Sequence, residues 1–486
     1  MTVELNKLKQ GPGPDEEPAA PAVEKPVEPQ DAAVPAAGAA AGNGVEPAPA
    51  AADVPSLETV PVLVSEPAPE AQPDAEDASA QSAPALPGDK VLEHTALLWK
   101  YKPIPVGEPD PAPEYLQEFT ALPGSVITAA RVRGKKHKHE GSNCDDWYET
   151  ANLGTITFLA VSDGAGSKRF SRIGARESCK AAVGYLVRSC EELLTQTPGI
   201  LEDLKLELSD PKCMDACRAM ATLTQQAVVK AYDAVEAAYY SRSTDRAYSD
   251  VLGRSLTFKD FSGTLLLTVI VPIREETKEH LIITCQIGDG MTCVLNSEAP
   301  FASSLRLMGV PDGGEYSGET DFLTSPQMKT IEALQKRTKL YRGTVDTVLS
   351  MTDGVADDYF PNETEMRRLY CDLVVNGVIG SAAGRDLSKV SPEGLKQFRK
   401  LPDPLAYPWV NDQSVRIPLH YTRRILEATG CTLEALWEDR ALLELARMEI
   451  VDPKNQDDPG ERLKIWLDNY VERGSFDDRT LVIAHL

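Results

Sequence analysis

The stretch TFLAVSDGAGSKRFSRIGA, residues 157–175, holds the strongest structural signal in this sequence. An apolar segment typical of a buried strand rises to Val161 and stops at Ser162-Asp163-Gly164. A second glycine follows at Gly166, and after it comes a basic segment rich in hydroxyl groups. The pattern raises the question of why a buried strand should end in a carboxylate next to glycines.

The same combination of an apolar segment and an aspartate turn occurs four times in the chain. The turns are Asp163-Gly164, Asp289 within Gly-Asp-Gly, Asp353-Gly354 and Asp477-Asp478, and a further pair, Asp145-Asp146, precedes the first strand. A single Asp-Gly pair is usually a turn whose aspartate caps its own backbone. Repetition favours function, because inner strands of one sandwich bring their ends to one rim, where several carboxylates repel each other unless cations are present. Mg2+ and Mn2+ prefer such oxygen ligands.

The order of the remaining segments predicts an α+β fold. Strand patterns cover 155–162, 263–273, 280–287, 291–296, 346–352 and 480–486, and helical spacing covers 174–194, 211–240, 422–450 and 460–474. The stretch CQIGDGMTCVL, 285–295, predicts a tight hairpin about its Gly-Asp-Gly turn. We therefore expect a central antiparallel β-sandwich with helices on the outside, rather than the regular alternation of a doubly wound fold.

Composition divides the chain into unequal parts. The first 90 of the 486 residues contain no aromatic residue and no arginine, and they hold 16 of the 36 prolines and 16 acidic against 4 basic residues. Such a segment cannot bury enough apolar surface to offset the entropy of ordering, so residues 1–89 are expected to be a disordered tail. One apolar island, SLETVPVLV at 56–64, is either a chance cluster or a docking motif.

We expect an ordered lead-in at 90–124 and one folded domain at 125–486, with a largely helical insertion at about 355–475. The insertion is a lid, a substrate platform or a partner site. The net charge of −24 argues against nucleic-acid binding, which depends on basic patches. Nothing in the sequence resembles a membrane span. Nine irregularly spaced cysteines favour a reducing, cytoplasmic location.

Six segments of the chain resemble the metal-dependent serine/threonine phosphatases of type 2C, above all their bacterial branch. In family order they are HKHEGSNCDD (137–146), VSDGAGSKRFSRIGA (161–175), SGTLLLTVIV (262–271), CQIGDG (285–290), LSMTDGVADD (349–358) and FDDRTLVI (476–483). The resemblance covers the chain from about 125 to its last residue. It implies a hydrolase that acts on phosphoserine or phosphothreonine in proteins, with a cognate kinase as its counterpart.

The resemblance also implies roles for individual residues around two Mg2+ or Mn2+ ions. Asp163 would bridge the ions with the Gly164 carbonyl on one of them, and a metal-bound water would be the nucleophile. Asp353 and Asp477 would complete the shell of the first metal, and Asp146 would hold water at the second. Asp289 would help to hold a third metal, as in some bacterial members.

The sequence departs from the family pattern in the first segment. Cys144-Asp145-Asp146 stands where the family has Cys-Gln-Asp, so the ligand is either Asp146 or, in a shifted register, Asp145. Many relatives place a phosphate-holding arginine five residues earlier, where this chain has Gly141. Arg131, Arg133, His137 and His139 are the candidate replacements, and we take the two histidines as the predicted phosphate contacts. A phosphatase-like domain that binds phosphoprotein without turnover, or a scaffold, is the alternative function.

Deletion of residues 1–89 should leave phosphatase turnover and the melting temperature nearly unchanged, because the segment lacks core-forming residues. The full chain and a 90–486 fragment are compared by thermal melting and by hydrolysis of a phosphopeptide. A fall of several degrees on deletion would show that the tail packs on the domain.

Overall fold

The computed structural model describes residues 62–64, 100–309, 321–380, 409–412, 415–418, 421–451, 458–469 and 476–486, together with Lys396 and Lys400. The predicted tail therefore lies outside the described residues except for three positions of its apolar island. Parts of the predicted insertion lie outside them as well.

Two six-stranded sheets form the centre of the domain. Sheet A has the order β1-β10-β7-β6-β5-β4 and sheet B the order β2-β3-β14-β11-β8-β9. All neighbours pair antiparallel except β1, which runs parallel to β10. The strands are β1 Val62–Val64, β2 Tyr115–Leu122, β3 Ser125–Val132, β4 Trp147–Leu153, β5 Ile156–Ser162, β6 Leu265–Arg274, β7 Glu279–Ile287, β8 Met291–Leu295, β9 Leu305–Leu307, β10 Thr338–Thr344, β11 Thr347–Met351 and β14 Arg479–His485, with a separate hairpin of β12 Trp409–Asp412 and β13 Val415–Pro418.

Helices cover the outer faces of the two sheets. In the described residues they are α1 Lys135–Glu140, α2 Ser171–Gln196, α3 Ile200–Asp203, α4 Pro211–Arg242, α5 Arg246–Leu252, α6 Ile331–Arg337, α7 Asp353–Ala356, α8 Asn362–Val375, α9 Tyr421–Thr429, α10 Leu433–Glu438, α11 Arg440–Ile450 and α12 Pro459–Asn469. The long pair α2 and α4 packs on sheet A. The helices of the insertion, α8 to α12, pack on sheet B.

The inner strands are continuous apolar runs because both of their faces are buried. Along β5, Phe158 and Ala160 pack into the core beneath α2 and α4, whereas Leu159 and Val161 point into the core between the sheets. Strand side chains alternate between the two faces, so one strand serves both cores. The expected α+β fold, a β-sandwich between helical layers, is confirmed.

Several predicted bounds agree with the structure to within a few residues, but one local prediction is wrong. The Gly-Asp-Gly segment does not join a hairpin, because β7 lies in sheet A and β8 lies in sheet B. The chain crosses from one sheet to the other at 288–290, where Gly288 has a φ of +104°. A side chain is strained at that φ, so the glycines serve the crossing rather than a two-residue turn.

The segments outside the predicted domain core also take part in the sheets. The lead-in ends in β2, which pairs with β3 from Tyr115 to Leu122. In the apolar island, Val62–Val64 pair with Leu340, Tyr341 and Arg342 at the edge of sheet A, so deletion of residues 1–89 also removes this three-residue edge strand. The predicted helix at 422–450 is three helices, α9 to α11. Among the described residues, no helix is both long and apolar enough to cross a membrane.

Replacing Ile282 by alanine should lower the free energy of unfolding by about 2–5 kcal/mol, because the side chain is fully buried between the two sheets and leaves a cavity. Ile331→Ala is the matched control, since Ile331 is 42% exposed and should change stability by no more than about 0.5 kcal/mol. Urea unfolding of both variants measures the difference. Equal losses in the two variants would contradict the sandwich core.

Candidate active site

Three of the predicted aspartates meet at one rim of the sandwich. Carboxylate oxygens of Asp163, Asp289 and Asp353 lie within 4.8 Å of one another. Asp163 directly follows β5, Asp353 follows β11 by two residues, and Asp289 lies on the crossing between β7 and β8. Three strand ends from two different sheets therefore bring one carboxylate each to the same point.

The backbone at Asp163 is fixed by the neighbouring strand. The Asp163 amide donates to the Thr264 hydroxyl at 2.8 Å, and the Asp163 carbonyl accepts from the Thr264 amide at 2.7 Å. Gly164 is packed so closely that a Cβ there would lie 2.6 Å from the carbonyl oxygen of Asp145. The glycine after Asp163 thus lets the first and second sequence motifs touch through their backbones.

The glycine after Asp353 has the same purpose. A Cβ on Gly354 would lie 2.0 Å from the carbonyl oxygen of Asp478, so only glycine fits between the fifth motif and the last one. The Gly354 amide donates to the Asp353 carboxylate at 2.7 Å, which orients that side chain at the start of α7.

Asp146 is fully buried beside this cluster. Its Oδ2 accepts hydrogen bonds from the hydroxyls of Thr352, at 2.9 Å, and Thr480, at 2.7 Å. Its Oδ1 is buried and has no hydrogen-bond donor. An unsatisfied buried carboxylate oxygen is costly, and a cation is the usual partner for one.

A second buried group joins the first motif to the last. Oxygen and nitrogen atoms of His137, Asp145 and Asp478 lie within 4.8 Å of one another. Asp478 accepts from the amides of Gly134, at 2.6 Å, and Asp145, at 2.5 Å, and its Oδ2 lies 2.8 Å from His137 Nδ1. His137 Nδ1 is also 2.8 Å from the Asn143 carbonyl oxygen. Asp145 therefore lies in this group, whereas Asp146 lies beside Asp163.

Crowded carboxylates shift the proton affinities of the site. Burial, followed by the charge of Asp353, raises the pKa of Asp163 well above its usual range, and burial followed by the charge of Asp289 does the same for Asp353. Burial and then the charge of Asp478 raise the pKa of Asp146 to about 7 and that of Asp145 to about 8. Without a cation, the fully ionised cluster is therefore unfavourable.

The pair of His137 and Asp478 behaves in the opposite way. Burial disfavours the imidazolium, but the carboxylates of Asp478, Asp145 and Asp477 together outweigh it, Asp478 most of all, and raise the pKa of His137 to about 10. Burial of Asp478 is likewise outweighed by His137 together with the amides of Gly134 and Asp145, and the pKa of this carboxyl is lowered. The two groups form a buried ion pair that fixes the first motif on the last.

The other predicted residues lie at the margins of this arrangement. Asp477 is about half exposed, and its Oδ1 is 3.4 Å from His137 Nε2. His139 lies on α1, where its Nδ1 accepts the backbone amide of Lys100 at 3.1 Å. That the two histidines contact phosphate stays a prediction.

Sequence reasoning missed several residues of the site. Asp357 lies close enough for Asp289 to act on it: burial and then the charge of Asp289 raise its pKa. Its position four residues after Asp353, one helical turn on, was the available signal. No local sequence signal singled out Thr352 or Thr480 as partners of Asp146, because those contacts join segments far apart in the chain.

Comparison with known proteins agrees with this geometry. The family model described as protein phosphatase 2C matches residues 133–379 of the 486. No curated protein matches the chain. The chain belongs to the protein phosphatase 2C family, so the resemblance seen in the sequence is confirmed. It is a hydrolase of the protein serine/threonine phosphatase class, and phosphoproteins are the substrates that the family implies.

Solved structures resemble the chain only distantly. A bacterial serine phosphatase is 11% identical with a TM-score of 0.33, covering 74% of this chain and 96% of that one. The serine/threonine phosphatase Stp1 from Staphylococcus aureus is 11% identical with a TM-score of 0.32, covering 76% and 97%. The serine-threonine phosphatase 2C from Toxoplasma gondii is 14% identical with a TM-score of 0.32, covering 77% and 99%. Likenesses this distant do not bear on the mechanism.

Asp478→Asn should destabilise the metal-free protein by about 2 kcal/mol or more, because it leaves the buried, charged His137 without its counter-ion. Urea unfolding in the presence of a chelator measures the loss without any contribution from metal. Asp468→Asn is the control: Asp468 pairs with Lys138 on the surface, and its loss should cost at most about 1 kcal/mol. A cost for Asp478→Asn no larger than that of the control would refute the buried ion pair.

Proposed function

We propose that this chain hydrolyses phosphoserine and phosphothreonine in protein substrates, with a water molecule activated by two divalent cations, Mg2+ or Mn2+. The observation that carries the proposal is the convergence of Asp163, Asp289 and Asp353 within 4.8 Å, with the pKa values of Asp163 and Asp353 raised by burial and by their neighbours. Like charges at this separation need cations between them.

The residues at the rim fit such cations. All the donors are oxygen atoms, which suit hard divalent ions. Asp146 supports the fit further, because its carboxyl group lies close enough to that of Asp163 to interact with it, and its buried Oδ1 lacks a hydrogen-bond partner. Of the two candidates in the first motif we therefore propose Asp146, rather than Asp145, as the residue that serves the second metal.

Each aspartate then has a proposed role. Asp163 would hold both ions, and the Gly164 carbonyl would help to hold one of them. Asp353 and Asp477 complete the first ion's shell. Asp289, now joined by Asp357, forms a weaker third site. Bound divalent ions would acidify water and offset the charge that develops on the phosphoryl group.

The protein's own contribution is to hold these oxygens in place before substrate binds. Thr352 and Thr480 fix the orientation of Asp146. The Asp478 carboxylate holds the backbone of the first motif against the last. Such preorganisation lowers the reorganisation needed when charge develops in the transition state.

A phosphoprotein-binding module without turnover, or a scaffold, is the competing function, and it is not favoured because the carboxylate set is complete. Hydrolysis of p-nitrophenyl phosphate with added Mn2+, and its absence with a chelator, distinguishes the enzyme from both alternatives. Absence of turnover under both conditions would overturn the proposal.

We also propose that a serine/threonine kinase supplies the substrate, so that the pair acts in signalling.

Asp163→Asn should reduce turnover on a phosphopeptide by roughly a thousandfold or more, because the ions lose their shared anionic ligand. Stability without metal should hold or rise slightly, since one of the repelling charges is removed. Turnover measured at saturating Mn2+ tests the predicted loss of activity, and thermal melting with and without metal tests the predicted stability. Asp215→Asn, at an exposed position of α4, is the matched control and should be neutral. Retention of more than about a tenth of wild-type turnover by Asp163→Asn would contradict the bridging role.

A further inference from the structure

The lead-in carries a buried carboxylate that reaches toward the active-site loops. The Glu108 side chain is only 3% exposed, and it lies between the loop of the first motif and the loop that follows Asp163. Its Oε1 accepts from Asn143 Nδ2 at 3.4 Å and from Arg172 at 3.0 Å. Its Oε2 accepts from Arg169 at 2.6 Å.

The two loops that Glu108 joins meet next to Asp163 and Asp146. Asn143 stands two residues before Asp145, and Arg169 stands six residues after Asp163. Gly164 packs directly on the backbone of Asp145, so the two loops are in contact at the point where the aspartates converge. The guanidinium of Arg169 is therefore held by a carboxylate that also holds the loop of the first motif.

Three other arginines of these segments already use their guanidinium groups in several hydrogen bonds within the protein. Arg131 donates to the carbonyls of Asp146 and Pro113 and lies over the Trp147 ring. Arg133 donates to Glu114 and to two carbonyls. Arg172 is 2% exposed and donates to Glu108 and to the carbonyls of Pro109, Asp110 and Arg169.

Arg169 differs from these three arginines. Its side chain is 34% exposed, and its one hydrogen bond within the described structure is the bond from one terminal nitrogen to Glu108. Its other guanidinium N–H groups make no hydrogen bond within the described structure. A guanidinium fork suits phosphate oxygens, and a buried carboxylate that holds one side of the fork reduces the entropy lost on binding.

We propose that Arg169 is the phosphate-binding residue of this site and that Glu108 is a positioning residue for it. The inference rests on the proposed phosphatase function and names the group that holds the substrate phosphoryl oxygens. It gives the loop after Asp163 the positively charged side chain that the first motif lacks at Gly141. It also gives the lead-in a role, because Glu108 couples that segment to substrate binding.

The test measures phosphate binding directly as well as turnover. Inorganic phosphate is titrated into the Mn2+-loaded protein by calorimetry, and its inhibition of p-nitrophenyl phosphate hydrolysis is measured on the same samples. Arg169→Ala should weaken phosphate binding and raise KM by about tenfold to a hundredfold, with Arg169→Lys recovering part of the loss. Glu108→Gln should raise KM by a smaller factor.

Arg176→Ala is the matched control. Arg176 lies within the first two turns of α2 and faces the lead-in at Asp110, 3.8 Å away, so its loss should leave phosphate affinity within about twofold. A purely structural role for Arg169 would lower the melting temperature while the affinity for phosphate stays the same, and that result would overturn the inference. Failure of the wild-type protein to bind phosphate would overturn it as well. Absence of wild-type turnover, in contrast, would reject the proposed function.

Discussion

The repulsion among carboxylates at one rim of the sandwich is the constraint on which the rest of this structure depends. Asp163, Asp289 and Asp353 come from three strand ends in two sheets, and Asp146 lies buried beside them. The raised pKa values of Asp163, Asp353 and Asp146 express a cost that the fold bears in the absence of cations. Functional sites are often destabilising in this way, because the groups that the chemistry needs are unfavourable for folding.

Backbone contacts hold the aspartates close together in spite of this repulsion, and these contacts do not neutralise the aspartate charges. Glycines at 164 and 354 allow main-chain segments to approach more closely than any side chain would permit. The buried pair of Asp478 and His137 then joins the last motif to the first through two backbone amides. Because each support involves segments distant in sequence, the site forms only when both sheets and their crossing are in place.

The lead-in adds further contacts between segments that are distant in the sequence. Through Glu108 and Asp110 it reaches arginines at the start of α2 and at the end of α4. Ala112 donates its amide to Asn143 in the first motif, so the same short segment contacts both active-site loops. A segment that follows a long acidic tail is thus part of the surroundings of the site.

The sequence by itself determined the β-sandwich between helical layers and the aspartates that follow its strands. It could do so because apolar runs, helical spacing and Asp-Gly pairs are local signals, and six motifs in family order are specific. It failed at CQIGDGMTCVL, where a hairpin and a crossing between sheets have the same local pattern. Only the tertiary structure decided that Asp145 turns toward His137 while Asp146 lies beside Asp163, and that Arg169 stands apart from its committed neighbours. Those assignments depend on contacts between residues tens to hundreds of positions apart, which no local sequence pattern contains.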